Sequence, residues 1–264
     1  MTRSLSGGGL ACLTAGSGPP VIFIHGWSMA SGVWARQIDY FSQRGFNAQA
    51  IDLPGHGDSP PDGDHTIAAM SDRLYGFIEE AGYEAPLLVG WSMGAMVILS
   101  YIEGHADRTS GICLVGGTPR FISGPGYDYG LDIKDVKGMK VKLRRDFLRC
   151  LGDFRKAMTK GLSVEDRDIL IHAPYPQIDA AMTGLEELIK VDLRATLDKL
   201  RLPVLIIHGE DDHVCPAGVA SYMEEKVEGA ERVMFESAGH VPFLSHSRDF
   251  NERLEEFAGR ILRA

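Results

Sequence analysis

Apolar residues fall along this chain in two alternating rhythms. Short unbroken runs, Val21-Ile22-Phe23-Ile24, Leu87-Leu88-Val89, Ile112-Cys113-Leu114-Val115 and Val204-Leu205-Ile206-Ile207, put apolar groups on both faces of an extended chain. They predict strands buried in the middle of a parallel sheet. Leu10–Ala15, Phe46–Ile51 and Arg232–Phe235 predict further strands. Between the runs, apolar residues recur three and four apart, as on one face of a helix. Trp34, Ile38 and Phe41 do so within 32–43, and Ile67, Met70, Leu74, Phe77 and Ile78 within 66–80. Helices are also expected from near Met93, near 217–226 and over 247–262. Strand then helix, repeated, predicts an α/β fold: a mostly parallel sheet with helices on both faces. The rhythm stops from about 120 to 193, where helical patterns and loops appear without a comparable strand run. That stretch is expected to be a helical lid, inserted into a core formed by residues 1–119 and 194–264.

The candidate chemistry sits where strands end. Leu87-Leu88-Val89 runs into Gly90-Trp91-Ser92-Met93-Gly94, a Gly-x-Ser-x-Gly between a strand and a small-residue helix. A sharp strand-to-helix turn of this kind holds a serine proud of the sheet, and its glycines admit neighbouring backbone. A serine nucleophile needs a base and a group that orients the base. Past Ile207 comes His208-Gly209-Glu210-Asp211-Asp212-His213, in which Asp212 is the chosen carboxylate, with Asp211 and Glu210 its near rivals. Past Phe235 comes Ser237-Ala238-Gly239-His240, whose histidine is the chosen base. The order Ser92, Asp212, His240 resembles that of the α/β-hydrolases. The backbone N–H of Met93 and that of Trp27, in the His25-Gly26-Trp27 loop, are the expected oxyanion donors. Trp27 and Trp91 are expected to wall the acyl pocket, the alternative for each being mere packing nearby. His208, Asp211, Asp212 and His213 also invite a metal reading, but on a tight loop they would diverge. No metal and no cofactor is expected, and His208 and His213 read as structural.

Composition narrows the setting. No apolar run approaches the ~20 residues that span a bilayer. Residues 1–9 lack the hydrophobic segment of a signal peptide, and the four cysteines form no Cys-x-x-Cys pair. A cytoplasmic, monomeric protein without a membrane association is expected. A net charge of −9 argues against nucleic acid as a partner. Yet Lys134–Lys160 holds ten Lys/Arg against three Asp. There Lys142, Arg144, Arg145, Arg149, Arg155 and Lys156 alternate with Leu143, Phe147, Leu148, Leu151 and Phe154. One face is expected to cover the active site while the charges face outward, as a plain solvated surface or as a dock for an acidic macromolecule or phosphate-bearing substrate.

Gly90-Trp91-Ser92-Met93-Gly94, His25-Gly26-Trp27, the segment Gly184-Leu185-Glu186 to Val191-Asp192-Leu193-Arg194, and His240-Val241-Pro242-Phe243-Leu244-Ser245-His246 together resemble the pimeloyl-[acyl-carrier protein] methyl ester esterases of biotin synthesis. The resemblance runs from about residue 18 to the C-terminus and is weakest in the lid. It implies the α/β-hydrolase fold and hydrolysis of the methyl ester of pimeloyl-acyl carrier protein, with release of methanol. It also implies that Phe147, with Leu151 on the following turn, contacts the acyl chain. Lid cations, among them Arg144, Arg145, Arg149, Arg155 and Lys156, would grip the carrier protein and its phosphopantetheine. The chain departs from the pattern at Asp146, where the family favours a cation. The competing readings are a general small-ester or lactone hydrolase and a hydrolase-fold ligand receptor.

Overall fold

The computed structural model describes residues 1–5 and 9–263; Ser6, Gly7 and Gly8, which include most of the N-terminal glycine run, and Ala264 lie outside the described residues. The apolar runs form the strands β2 (Ala11–Ala15), β3 (Pro20–Ile24), β4 (Asn47–Ile51), β5 (Leu87–Trp91), β6 (Gly111–Val115), β7 (Val204–Gly209) and β8 (Glu231–Phe235). They follow β1 (Thr2–Leu5), which the hydropathy pattern misses because all four residues are exposed. The sheet order is β1-β2-β4-β3-β5-β6-β7-β8. From β4 across to β8 every neighbouring pair is parallel, and β1 and β2 run antiparallel at one edge.

Alternation along each strand divides the core in two. Ile22, Ile24, Leu88, Ile112, Leu114 and Ile206 face one layer. It is built on α2 (Ile67–Glu80), α3 (Met93–His105), α8 (Arg194–Leu197) and α9 (Gly218–Lys226). Val21, Phe23, Val89, Cys113, Val115 and Ile207 face the other. That layer holds α1 (Ala35–Ser42), α10 (Pro242–Ser245) and α11 (Ser247–Leu262). Thr66 starts α2 by accepting a hydrogen bond from the Ala69 amide at 3.2 Å, which satisfies one of the helix's free first-turn donors. The helix expected over 32–43 is instead a 3₁₀ turn, Ser31–Trp34, followed by α1.

Between β6 and β7 lie α4 (Ile133–Arg145), α5 (Phe147–Ala157), α6 (Val164–Ile171) and α7 (Ile178–Lys190). Hydrogen bonds and an ion pair bind this stretch to the rest of the protein. The Glu187 carboxylate accepts from the Ile67 amide at 3.2 Å, at the electropositive start of α2. The Gln177 amide donates to Gly55 O at 2.8 Å. Arg36 pairs with Asp166 at 2.8 Å.

Candidate active site

The turn from β5 into α3 puts Ser92 at φ +55°, ψ −115°, a conformation that a residue with a side chain rarely adopts. Close packing explains the glycines around it. A Cβ on Gly90 would lie 2.5 Å from Gly94 O, and one on Gly94 would lie 2.5 Å from Ile24 O and 2.8 Å from His25 O. Backbone fills both places, so only glycine fits. The Ser92 amide is held by Val115 O at 3.0 Å, on the neighbouring strand. Met93 opens α3, whose first N–H groups have no partner within the helix and point toward the serine's side of the turn.

Asp212 and His240 meet at the carboxyl ends of β7 and β8. Asp212 Oδ2 accepts from His240 Nδ1 at 2.8 Å, and both residues are buried. Asp212 Oδ1 accepts from the amides of Val214 and Cys215 at 2.8 and 2.9 Å, which fixes the carboxylate plane. Burial alone would raise the Asp212 pKa. The charge on His240 and the hydrogen bonds from His208 and His240 outweigh it, and the carboxyl is held well below the usual carboxylate range. With the acid ionised, His240 carries its proton on Nδ1 and keeps the Nε2 lone pair free. The rival carboxylates, Glu210 and Asp211, are exposed.

Three further strand ends converge here. Gly116, just past β6, takes φ +49°, and a Cβ there would lie 3.3 Å from His240 Nδ1 and 3.4 Å from Asp212 Oδ2. A Cβ on Gly26, past β3, would lie 3.1 Å from Ser92 Cβ. The Trp91 indole N–H donates to His240 O at 2.8 Å. Trp91 is therefore not a pocket wall, as the sequence suggested. As the last residue of β5 it points into the α11-side layer, against Phe243 with ring centroids 5.1 Å apart, and supports the His240 backbone from below.

Trp27 is set differently. Its indole donates to Ala181 O of α7 at 2.9 Å, and its ring meets Phe154 of α5 edge-on at 5.1 Å. Gly184 lets α7 come this close, since a Cβ there would lie 2.9 Å from the Trp27 ring and 3.4 Å from Met93 Sδ. Trp27, Met93 and Leu151 share one buried apolar cluster, with Phe147 packed against it. Leu148, by contrast, is 59% exposed. One residue on from Phe147, it is turned off the face that Phe147, Leu151 and Phe154 share.

Lys142, Arg144, Arg145, Arg149 and Lys156 are exposed on α4 and α5. Arg155 is not, which corrects its reading as an outward-facing docking residue. It is 1% exposed, and its guanidinium donates to Ala173 O at 2.6 Å, Pro174 O at 2.9 Å, Ile171 O at 3.4 Å and Ser28 O at 2.8 Å. Its position, four after Leu151 and eight after Phe147, puts it on the buried face of α5. The departure at Asp146 also has a local cause: its carboxylate accepts from the Arg149 amide at 3.2 Å and caps α5.

Two residues near the acid carry more than the sequence suggested. His208 is wholly buried, with Nε2 at 2.8 Å from Cys215 O and 3.3 Å from Asp212 Oδ2. Both neighbours are acceptors, so that nitrogen bears the proton and shares it between them. Cys215 lies beside Ser92: burial and the Asp212 charge push its thiol pKa well up, opposed by a hydrogen bond from Ser92. The only signal in the sequence was proximity to Asp212 on one loop. His213 is exposed. Among the described residues, no group of three or more His, Cys, Asp or Glu is arranged to hold a metal ion.

Known proteins share both the sequence and this architecture. A pimeloyl-[acyl-carrier protein] methyl ester esterase from Nitrosomonas europaea is 32% identical over 90% of this chain and 94% of its own length. Another of that name from Methylococcus capsulatus is 32% identical over 94% of this chain and 98% of its own. An esterase structure from Exiguobacterium antarcticum superposes with a TM-score of 0.89 at 26% identity, covering 97% of this chain and 98% of that one. The model of the Alpha/beta hydrolase family matches residues 21–253, from β3 into α11, and so takes in Ser92, Asp212 and His240. With a family match of that extent, relatives at this identity and the parallel sheet that carries the site, the chain belongs to the alpha/beta hydrolase family.

Proposed function

We propose that this protein is a serine carboxylesterase that hydrolyses the methyl ester of pimeloyl-acyl carrier protein in biotin synthesis. The observation that carries the chemistry is the buried Asp212–His240 hydrogen bond at 2.8 Å, at the same end of the sheet as the turn that strains Ser92, past strands two and three along from β5. The names of the relatives at 32% identity support the substrate.

In the first step Ser92 Oγ attacks the ester carbonyl carbon and passes its proton to His240 Nε2. Asp212 keeps the imidazole in the tautomer that accepts it and stabilises the imidazolium. The amides of Trp27 and Met93 donate to the oxyanion. The carbon–oxygen bond to methoxide then breaks, and His240 returns the proton so that methanol leaves. Water attacks the acyl-serine by the same route and frees the pimeloyl carboxylate, still thioester-linked to its carrier.

Residues 120–193 act as the lid, with Phe147 and Leu151 against the acyl chain and Trp27 as the inner wall. The carrier docks on Lys142, Arg144, Arg145, Arg149 and Lys156. A cleft of about 420 Å³ between α4 and α5, lined by Lys142, Arg145, Asp146, Arg149, Cys150 and Asp153, suits the phosphate of its prosthetic arm. Among the described residues no helix is long and apolar enough to cross a membrane. Four buried free thiols suit a reducing cytoplasm, where the protein acts as a monomer in this reading.

The test compares pimeloyl-carrier-protein methyl ester with free dimethyl pimelate. Ser92→Ala abolishes turnover of both and prevents labelling by a fluorophosphonate. Charge reversal at Arg144, Arg145 and Arg149 slows only the carrier-bound ester. Comparable turnover of both esters, with neither slowed by the charge reversals, would point instead to a general small-ester hydrolase, and a Ser92 that resists the probe would point to a ligand receptor.

A further inference from the structure

Arg155 is a full positive charge buried in this protein whose four hydrogen bonds all go to carbonyl oxygens and none to a carboxylate. Burying a charge in this way is expensive, and burial lowers the pKa of the group accordingly. Three of its acceptors, Ile171, Ala173 and Pro174, lie where α6 runs on toward α7, and its guanidinium stacks 4.2 Å from the Tyr175 ring centroid. The fourth, Ser28, belongs to the core.

Ser28 sits in the turn that supplies the Trp27 amide. The Met29 amide donates to Gly26 O at 3.2 Å, closing a four-residue turn with Trp27 second and Ser28 third. Ser28 has φ +64°, a value that the third residue of such a turn ordinarily leaves to glycine. A serine persists there only if its surroundings enforce the conformation. They do so through one peptide unit: the Met29 N–H is tied to Gly26 O, and the Ser28 C=O is tied to Arg155 Nη2 at 2.8 Å. The second residue of a β-turn makes no hydrogen bond inside the turn, so its N–H is left free to face a ligand. Its direction depends on how the rest of the turn is held.

We propose that Arg155 is a positioning residue for the oxyanion turn, pinning the strained Ser28 peptide so that the Trp27 amide points at the reacting carbonyl. Because the same guanidinium gathers α5 and the 171–174 segment, the oxyanion site is complete only when this part of the lid is seated. The inference rests on the serine-esterase reading above, with Trp27 as a donor.

Kinetics on a carrier-free ester, p-nitrophenyl butyrate, test it with Arg155→Gln, Arg155→Lys, Ser28→Gly and the double variants. Arg155→Gln lowers kcat by about 10–100-fold. KM moves by less than about threefold, because the lost interaction acts on the transition state. The rate of Ser92 phosphonylation falls in parallel. Arg155→Lys, which keeps the charge but not the fork, falls between. Glycine at 28 adopts the turn without strain, so Ser28→Gly restores about fivefold or more of the Arg155→Gln loss, a recovery that a purely structural arginine would not give. Should Arg155→Gln fail to fold, the Arg155→Lys pair carries the same comparison. A kcat within twofold of wild type, a loss confined to KM, or no recovery by Ser28→Gly overturns the proposal. Ser92→Ala run alongside separates the two layers. Full turnover there overturns the site and this proposal with it, whereas an inactive Ser92→Ala beside an unimpaired Arg155→Gln overturns the arginine's role alone.

Discussion

Replacing Asp212 by asparagine changes one atom of the site, and the structure dictates how the new amide must lie. Oδ1 accepts from two backbone amides, Val214 and Cys215, at 2.8 and 2.9 Å. An NH₂ group there would face two donors, so the asparagine oxygen takes that place and the NH₂ is forced into the Oδ2 position, 2.8 Å from His240 Nδ1. Nδ1 must then present its lone pair and the imidazole proton moves to Nε2, the nitrogen meant to receive the serine's proton. His208 makes matters worse, since its Nε2–H at 3.3 Å also faces the NH₂. The base is lost to the wrong tautomer while the fold keeps its shape. In the analogous serine-protease triad that exchange costs ~10⁴ in kcat. The expectation here is a fall of about 10³–10⁴, or roughly 4–5.5 kcal/mol of transition-state stabilisation. Steady-state hydrolysis of p-nitrophenyl butyrate at pH 7.5 measures it, with a thermal melt to check folding and exposed Asp211→Asn as the control that stays near wild type. A folded Asp212→Asn enzyme with more than about a tenth of wild-type kcat would refute the tautomer argument.

Stability should fall on the acid side. Burial, reinforced by the His25 charge, pushes the His56 pKa down to about 3, and burial lowers that of His25 as well. The unfolded chain takes up protons on these groups below about 6.5 while the folded one does not, so their contribution is intact above that pH and drains away as pH drops toward 3. From pH 7 to pH 5, His56 alone accounts for about 2 kcal/mol, read as a falling urea midpoint that His56→Asn flattens; a midpoint that stays level contradicts it. Gly94→Ala drives a methyl into the carbonyls of Ile24 and His25 and should cost about 1–3 kcal/mol together with much of the activity, since β3 leads into the oxyanion turn. A Gly94→Ala protein of wild-type stability would show that the elbow has room to spare. All four cysteines are buried and their thiol pKa values are raised, Cys12 to about 11, chiefly by burial. The native protein should therefore show fewer than one fast thiol to Ellman's reagent, and four once denatured.

The sheet was legible because strands buried on both faces have no polar positions to blur them. β3, β5, β6 and β7 all fall on the runs of apolar residues. β1 escaped for the converse reason, as an exposed edge pairing held by backbone bonds to β2. Around the site, chain order pointed to Ser92, Asp212 and His240, but side-chain direction needs the pleat. Trp91 next to a serine looks like a pocket residue until the alternation of β5 turns it into the opposite layer. Arg155 misled by its charge. Its spacing from Phe147 and Leu151 already put it on the apolar stripe, and position on the helix outweighed residue type. His208 was legible only as a structural residue and Cys215 not at all, because their contacts are made by the fold of one short loop rather than by any periodic pattern.

The stretch that carries α4–α7 enters between β6 and β7, strands that are already paired side by side from Ile112–Val204 to Val115–Ile207. Whatever is threaded between them leaves every ladder of the sheet closed, so this is a socket where substrate-recognising heads could be exchanged while the scission machinery stays in place. The fitting has one condition. A transplanted head would have to bring its own donor for the Ser28 carbonyl, or the scaffold would need glycine at that position.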